Sequence, residues 1–220
     1  MSKKLALPLV FLLFALTATL DAQQGATPPA LSVPQILAKM AANANGIDTY
    51  EVPVEIRVHV KKVISVPFRM SGERYFKRPD KTALKLYHVP AQAKGFSNLY
   101  ASLGTPRTWL QTYDITLDNV NTSTGAPFYE LRGSYKHPSN VDHILLDVDA
   151  RTFDPIKAQW FYKNGATILM TIVEDSVEGK YRLPQHETVD INFPEYSGHA
   201  TIDYGTYAIN QPIDDAVFSQ

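Results

Sequence analysis

A strict alternation of polar and apolar positions begins directly after Tyr50. One side of this run carries only β-branched residues, namely Val52, Val54, Ile56, Val58 and Val60. A period of two is typical of a β-strand with one buried face and one wet face. The chain then returns at the same spacing through Val66, Phe68, Met70, Gly72, Arg74 and Phe76. The two runs predict a β-hairpin with its turn near Ile64–Ser65, and the rest of the chain is organised around it.

A helix is predicted directly before this hairpin. Ser32 and Gln35 have the spacing of a capping box, and Pro34 is tolerated in a first turn. Gly46 suits the end of the helix. Between these positions the apolar residues recur at helical spacing, namely Ile36, Leu37, Met40, Ala41 and Ala44. An amphipathic helix of about 12 residues, a usual length, therefore leads into the first strand.

Beyond the hairpin, short alternating runs continue to the end of the chain. Leu84 and Leu86 mark a third strand. The connection 89–106 is interrupted by proline and glycine, and it carries helical spacing at Phe96, Leu99, Tyr100 and Leu103. Later strands follow from Tyr113 to Tyr204 and are separated by turn residues such as Asn164-Gly165. About nine or ten strands without a βαβ rhythm predict an α+β fold, mainly antiparallel β.

Such a sheet has one apolar face that is larger than the predicted helices can cover. At about 25 cal/mol per Å², exposing several hundred Å² of this face would cost many kcal/mol. The face must therefore close on itself as a packed core, curve around the helices and leave a hollow, or bind an apolar partner. The residue pattern alone leaves these alternatives open.

Composition and charge limit the classes of protein that this chain can represent. The chain has 220 residues, no cysteine and a formal net charge of −1. Its length suits one domain. The absence of cysteine excludes disulfides and thiolate metal sites. A near-neutral charge gives no electrostatic argument for binding nucleic acid, so no nucleic-acid partner is expected.

The N-terminal residues 1–22 are predicted to be a cleavable secretory signal peptide. A lysine pair precedes the apolar stretch Leu5–Leu16, which is shorter than the ~20 residues that span a bilayer. Cleavage after Ala22 fits this pattern, and a cut after Ala18 or an uncleaved anchor is the alternative. Since no cysteine is available for lipid attachment, we expect a soluble exported protein, most simply a periplasmic one.

The remainder of the chain is predicted to hold one folded domain. Residues 23–31 contain glycine and a proline pair without periodicity, so they are expected to form a flexible leader. The domain itself is expected to occupy 32–220.

The sequence contains no motif of a known catalytic class. It has no nucleophile elbow, glycine-rich phosphate loop or paired-histidine metal motif. His186-Glu187 lies in a strand pattern, and the spacing of Asp147, Asp149 and Asp154 is not that of an EF-hand calcium loop. These residues are interpreted as solvated strand and turn residues. Neither catalysis, a metal nor a cofactor is therefore expected.

The string GERYFKRPDK at Gly72–Lys81 follows a helix and an alternating strand. In this setting it resembles the LolA-like family of periplasmic outer-membrane lipoprotein carriers. The second strand of that family ends in an aromatic residue, a basic pair and Pro-Asp or Pro-Asn. The later half of the chain is similar in cadence, through 140–149, Trp160–Gly165, Arg182–Pro184 and Tyr207–Asn210. The resemblance covers Ser32–Phe218.

The resemblance implies an incomplete, or half, β-barrel with helices covering its open side and a hollow for acyl chains between them. An acylated lipoprotein or lipid would be the ligand, and inner- and outer-membrane release and acceptor proteins would be partners. The sequence departs from the family at two points. The connection 89–106 replaces a tight turn and an aromatic strand. The buried arginine that pins the helical lid has no counterpart, because Arg57 lies on the polar side of its strand.

These observations together predict a non-enzymatic, monomeric periplasmic carrier for an apolar ligand. An envelope-stress sensor or protein-interaction module with a filled core is the alternative, and a hydrolase based on His186 and Glu187 is the weakest reading. The predicted lining consists of inward apolar side chains, namely Ile56, Val58, Phe68, Met70, Phe76, Leu84, Leu86, Ile144, Leu146, Trp160, Met170 and Ile202.

Overall fold

One antiparallel sheet and one covering helix make up most of the described chain. The computed structural model describes residues 28–61, 65–87, 89, 105–122 and 125–219. Helix α1 spans Val33–Ala42, a helical turn α2 spans Trp109–Thr112, and a 3-10 helix spans Asp215–Phe218. The strands are β1 Thr49–Lys61, β2 Ser65–Lys77, β3 Lys81–Tyr87, β4 Tyr113–Asn121, β5 Phe128–Tyr135, β6 Val141–Asp149, β7 Pro155–Tyr162, β8 Thr167–Val177, β9 Tyr181–Phe193, β10 Tyr196–Tyr204 and β11 Ala208–Ile209.

The sheet is an open half-barrel. Its strands follow the order β3-β2-β1-β10-β9-β8-β7-β6-β5-β4, and the short β11 pairs with β1. The edge strands β3 and β4 do not pair with each other, so the barrel is not closed. The predicted fold class, α+β with an incomplete antiparallel barrel, is confirmed. The predicted signal peptide and the predicted helix around Phe96 lie outside the described residues.

The opening hairpin forms with the buried parity that its alternation predicts, but the turn expected near Ile64–Ser65 is wrong at Ser65, which already belongs to β2 and pairs with Lys61. Ile56 lies opposite Met70, and both side chains are buried. Gly72 is required by the approach of β3, because a Cβ at this position would lie 2.1 Å from the main-chain oxygen of Lys85. The inner face of the hairpin therefore continues directly into the third strand.

Helix α1 packs on the inner face of the sheet. Ser32 and Gln35 form the predicted capping box, and Ile36, Leu37 and Met40 are buried. The helix ends at Ala42, and Gly46 lies in the turn that follows with a φ of 91°. Its expected role as the helix stop is therefore wrong, since the chain makes a further turn before β1.

Polar contacts over long sequence separations hold the end of α1 against the sheet. The Asn43 side-chain amide donates to Asp154 Oδ1 at 2.9 Å. The Arg78 guanidinium donates to the main-chain oxygen of Ile47 at 2.7 Å, and the main-chain N–H of Arg182 donates to Asn43 O at 3.1 Å. These bonds fix the helix position, and with it the space left beneath the helix. Among the described residues, none of the helices reaches the length and hydrophobicity that crossing a membrane requires.

Candidate ligand-binding cavity

A hollow remains between the inner face of the sheet, the end of α1 and the segment 105–109. We call it the main lobe, and its volume is about 200 Å³. Its apolar lining includes Met40, Ala44 and Ile47 from the helix side and Phe76, Leu146, Ala158, Ile172 and Leu183 from the sheet side. Concave spaces with mainly apolar walls and a few polar groups are the usual form of small-molecule sites.

A smaller extension of about 50 Å³ adjoins the main lobe. We call it the apolar lobe, and it lies against strands β4 to β7. The apolar lobe is lined by Trp109, Tyr113, Ile115, Leu131, Gly133, Ile144, Leu146 and Ala158. Trp109, Leu146 and Ala158 border both lobes, so the two spaces are neighbours. No charged side chain of the described residues lines the apolar lobe.

The predicted lining residues divide into those that border the hollow and those that lie elsewhere on the inner face. Phe76, Ile144 and Leu146 border one or both lobes. The core of packed side chains contains Ile56, Val58, Met70, Trp160, Met170 and Ile202, and Phe68, Leu84 and Leu86 pack against it while partly buried. The ligand-binding role of all of them stays a prediction.

A buried ion pair crosses the main lobe. Arg74 Nη1 lies 3.8 Å from Glu187 Oε1, and the two side chains are 19% and 4% exposed. Arg74 also donates to the Tyr204 hydroxyl at 2.8 Å. Burial raises the pKa of Tyr204 well above its usual value, so this hydroxyl stays neutral. The lobe therefore contains a fixed guanidinium that its partners hold in place.

A second cluster of polar side chains lies where α1 meets β8 and β9. Arg182 Nε donates to Asp154 Oδ2 at 3.1 Å, and Asp154 is 4% exposed. Glu174 lies beside this pair. Burial, and then the neighbouring Asp154 carboxylate, raise the pKa of Glu174 to about 9. The Glu174 carboxyl is therefore protonated at neutral pH, and it hydrogen-bonds the Asp154 side chain.

The strand pattern explains how these charged residues reach the inner face. Arg74 has the same parity as Gly72 in β2, and Glu187 has the same parity as Val189 in β9. Glu174 has the same parity as the buried Met170 and Ile172 in β8, and the pairing of β8 with β9 shifts register just after Val173.

The interpretation of Glu187, Asp147 and Asp154 as solvated residues is wrong. Their exposed fractions are 3%, 4% and 4%. Glu187 and Asp154 are compensated by arginines in the main lobe, and Lys157 Nζ donates to Asp147 Oδ2 at 2.8 Å. Acidic side chains become buried when they are paired in this way.

The histidines of the sheet do not join this site. His186 pairs with Asp203 at 2.7 Å, and His199 pairs with Asp190 at 2.7 Å. His186 and Glu187 are consecutive strand residues, so their side chains point to opposite faces. They cannot act on one bound molecule, which removes the geometric basis of the hydrolase reading. Among the described residues, no group of three or more histidines and acids could hold a metal ion.

Solved structures share this fold. A LolA superfamily protein from Nitrosomonas europaea has a TM-score of 0.60 and 16% identity, covering 87% of this chain and 99% of its own. An outer membrane lipoprotein-sorting protein domain from Vibrio parahaemolyticus has a TM-score of 0.61 and 12% identity, and the match covers 86% of this chain and 96% of that domain's chain. A DUF1329 family protein from Desulfovibrio piger has a TM-score of 0.61 and 11% identity, and the match covers 85% of this chain and 95% of that protein's chain.

The chain therefore has the LolA-like fold, and the predicted resemblance is confirmed for the fold. No family model matches the chain. No curated protein matches it either.

Proposed function

We propose that this chain is a non-enzymatic carrier that binds the acyl chains of a lipoprotein or lipid between its sheet and α1. The two lobes carry the proposal, because together they form an apolar space beneath a helix in an open half-barrel. A fold shared with a lipoprotein-sorting domain supports the same role. Arg74, Arg78 and Arg182 are paired with acids and Arg107 is exposed, so an apolar chain can enter without separating a buried ion pair.

The proposed site of action is the periplasm, reached through the signal peptide expected at 1–22. The proposed partners are the acylated ligand and the membrane proteins that deliver and accept it, and the carrier acts as a monomer. The alternative, an interaction module with a filled core, would leave no space under α1. The main lobe of about 200 Å³ favours the carrier over that alternative.

Filling the hollow tests this proposal. Ala158 is 1% exposed and borders both lobes, so Ala158→Phe places a ring in the wall that the two lobes have in common. The expected result is a loss of about tenfold or more in affinity for a fluorescent fatty-acid probe, equivalent to about 1.4 kcal/mol. Thr171→Phe is the matched control, because Thr171 is exposed in the neighbouring strand β8 and borders neither lobe.

Two results would contradict the proposal. One is wild-type protein that does not bind the probe at any concentration below the probe's micelle threshold. The other is equal affinity of the Ala158→Phe and Thr171→Phe variants. Thermal unfolding of both variants establishes that each one is folded, since overpacking a core costs about 1–3 kcal/mol.

A further inference from the structure

Cationic side chains outnumber anionic ones along the main lobe. Its lining contains the arginines Arg74, Arg78, Arg107 and Arg182 and the acids Glu174 and Glu187. Arginine stays charged at every physiological pH. The two lobes therefore differ in the charge of their walls, because none of the described residues that line the apolar lobe is charged.

The acids near the main lobe cancel this excess only in part, and Glu187 compensates Arg74. Glu174 is neutral at pH 7, because its pKa is raised to about 9. Asp154 does not line the main lobe, but its carboxylate forms an ion pair with Arg182. Asp48 lies 3.1 Å from Arg78, but its side chain is 78% exposed, so solvent screens this pair.

The adjoining lobes thus present two chemistries to one bound molecule. The main lobe offers guanidinium groups, which donate hydrogen bonds. The apolar lobe offers mainly apolar surface, including that of Ile115 and Ile144. A molecule that fills both spaces must carry an acceptor-rich end and an apolar end.

Resting on the proposed function, we infer that the ligand is an amphiphile with an oxyanion head, a carboxylate or a phosphate. The head lies inside the main lobe near Arg74, Arg107 and Arg182, and an acyl chain extends into the apolar lobe.

Guanidinium geometry supports this assignment. Arginine presents a planar fork of donors that matches the oxygens of carboxylates and phosphates. A partly buried site also strengthens charge–charge attraction relative to water. An amphiphile with a cationic head meets the opposite situation, because the arginines of the wall repel it.

Four probes of equal chain length test the head group. Decanoate, decyl phosphate, decylamine and 1-decanol are titrated against wild-type protein loaded with a fluorescent fatty-acid probe. Decanoate, decyl phosphate or both are expected to displace it at concentrations about tenfold lower than 1-decanol and decylamine, as a charge-assisted hydrogen bond predicts. A preference for decanoate assigns a fatty-acid-like head, and one for decyl phosphate assigns a phospholipid-like head.

A double substitution locates the head. Arg74→Gln with Glu187→Gln removes the buried pair together, so no uncompensated charge remains. The preference for oxyanions over 1-decanol is expected to fall at least about threefold, because the variant lacks the charge-assisted hydrogen bond from Arg74 to the head. The affinity for 1-decanol itself is expected to stay the same. The matched control is Arg57→Gln with Asp203→Asn, an ion pair on the wet face of the sheet. If the double variant gives no cooperative melt, Arg107→Gln at an exposed position replaces it.

The outcomes separate this inference from the proposed function. Equal displacement by all probes, stronger displacement by decylamine, or an unchanged preference in the variant overturns the oxyanion head but leaves the carrier intact. Failure of every probe, including the fluorescent fatty acid, overturns the carrier itself.

Discussion

Glu174 gives the sharpest test of the electrostatics in the main lobe. Burial and the Asp154 carboxylate raise the pKa of Glu174 to about 9 in the folded chain. An unfolded glutamate titrates near ~4.3. At any pH between these two pKa values, the folded state holds a proton on Glu174 that the unfolded state has lost. This group therefore lowers the free energy of unfolding progressively as the pH rises from ~4.3 towards 9.

Glu174→Gln removes this dependence, because glutamine resembles the protonated acid at every pH. Each pH unit above ~4.3 costs the wild type ~1.36 kcal/mol relative to the variant. The penalty is then about 1 kcal/mol at pH 5 and at most about 5 kcal/mol at pH 8. Glu174 is partly exposed, so solvent reduces the upper figure, and we expect the gap between variant and wild type to widen by about 1–3 kcal/mol over this range.

The assay is urea unfolding of both proteins at pH 5 and pH 8, with equal slopes required for the comparison. Glu195→Gln is the control, because Glu195 is exposed in the turn between β9 and β10. The variant is expected to gain stability over the wild type at pH 8, whereas the control stays within about 0.5 kcal/mol. A gap that is constant between the two pH values, or a variant that is less stable at pH 8, would refute the reasoning.

Two further substitutions test the elements that enclose the hollow. Gly72→Ala is expected to destabilise the fold by more than about 2 kcal/mol, because its Cβ would lie 2.1 Å from Lys85 O. Gly133→Ala, whose Cβ would meet nothing closer than 3.8 Å, should be much milder in the same thermal melt. Asn43→Ala removes the hydrogen bond to Asp154 and should lower the free energy of unfolding by about 1–2 kcal/mol. Hydrogen exchange of the α1 amides should also accelerate. Unchanged exchange would show that this hydrogen bond does not hold the helix.

Local sequence pattern predicts the buried face of the opening hairpin correctly. The alternation through Val52, Val54, Ile56 and Val58 places all four side chains on the buried face. Parity places Ile56 and Met70 on the same buried face, but the expected turn near Ile64–Ser65 does not give the observed register, in which Ser65 pairs with Lys61. The capping box at Ser32 is local, and it forms as predicted.

The charged residues of the main lobe escaped prediction for one reason. Arg74 and Glu187 have the parity of buried positions, so the signal was present, but charged residues are usually interpreted as wet. Glu174 likewise has the parity of the buried Met170 and Ile172 in its strand. Parity therefore marks all three positions as inward, and only the residue type argued against it.

The position of the hollow could not be predicted either. Parity identifies the inner face, but the uncovered part of that face depends on where α1 packs. Contacts between distant residues, such as Asn43 with Asp154, decide that position. This is why Phe76, Ile144 and Leu146 border the lobes while Met70 lies in the packed core.

Native mass spectrometry tests the central claim most directly. The mature chain is purified without detergent from a lipid-containing bacterial host, and its intact mass is compared with that of the denatured chain. Our account predicts an additional mass of one bound amphiphile that denaturation releases and that an organic extract identifies. A single unliganded mass in every preparation, together with no displacement of a fluorescent fatty-acid probe, would contradict it.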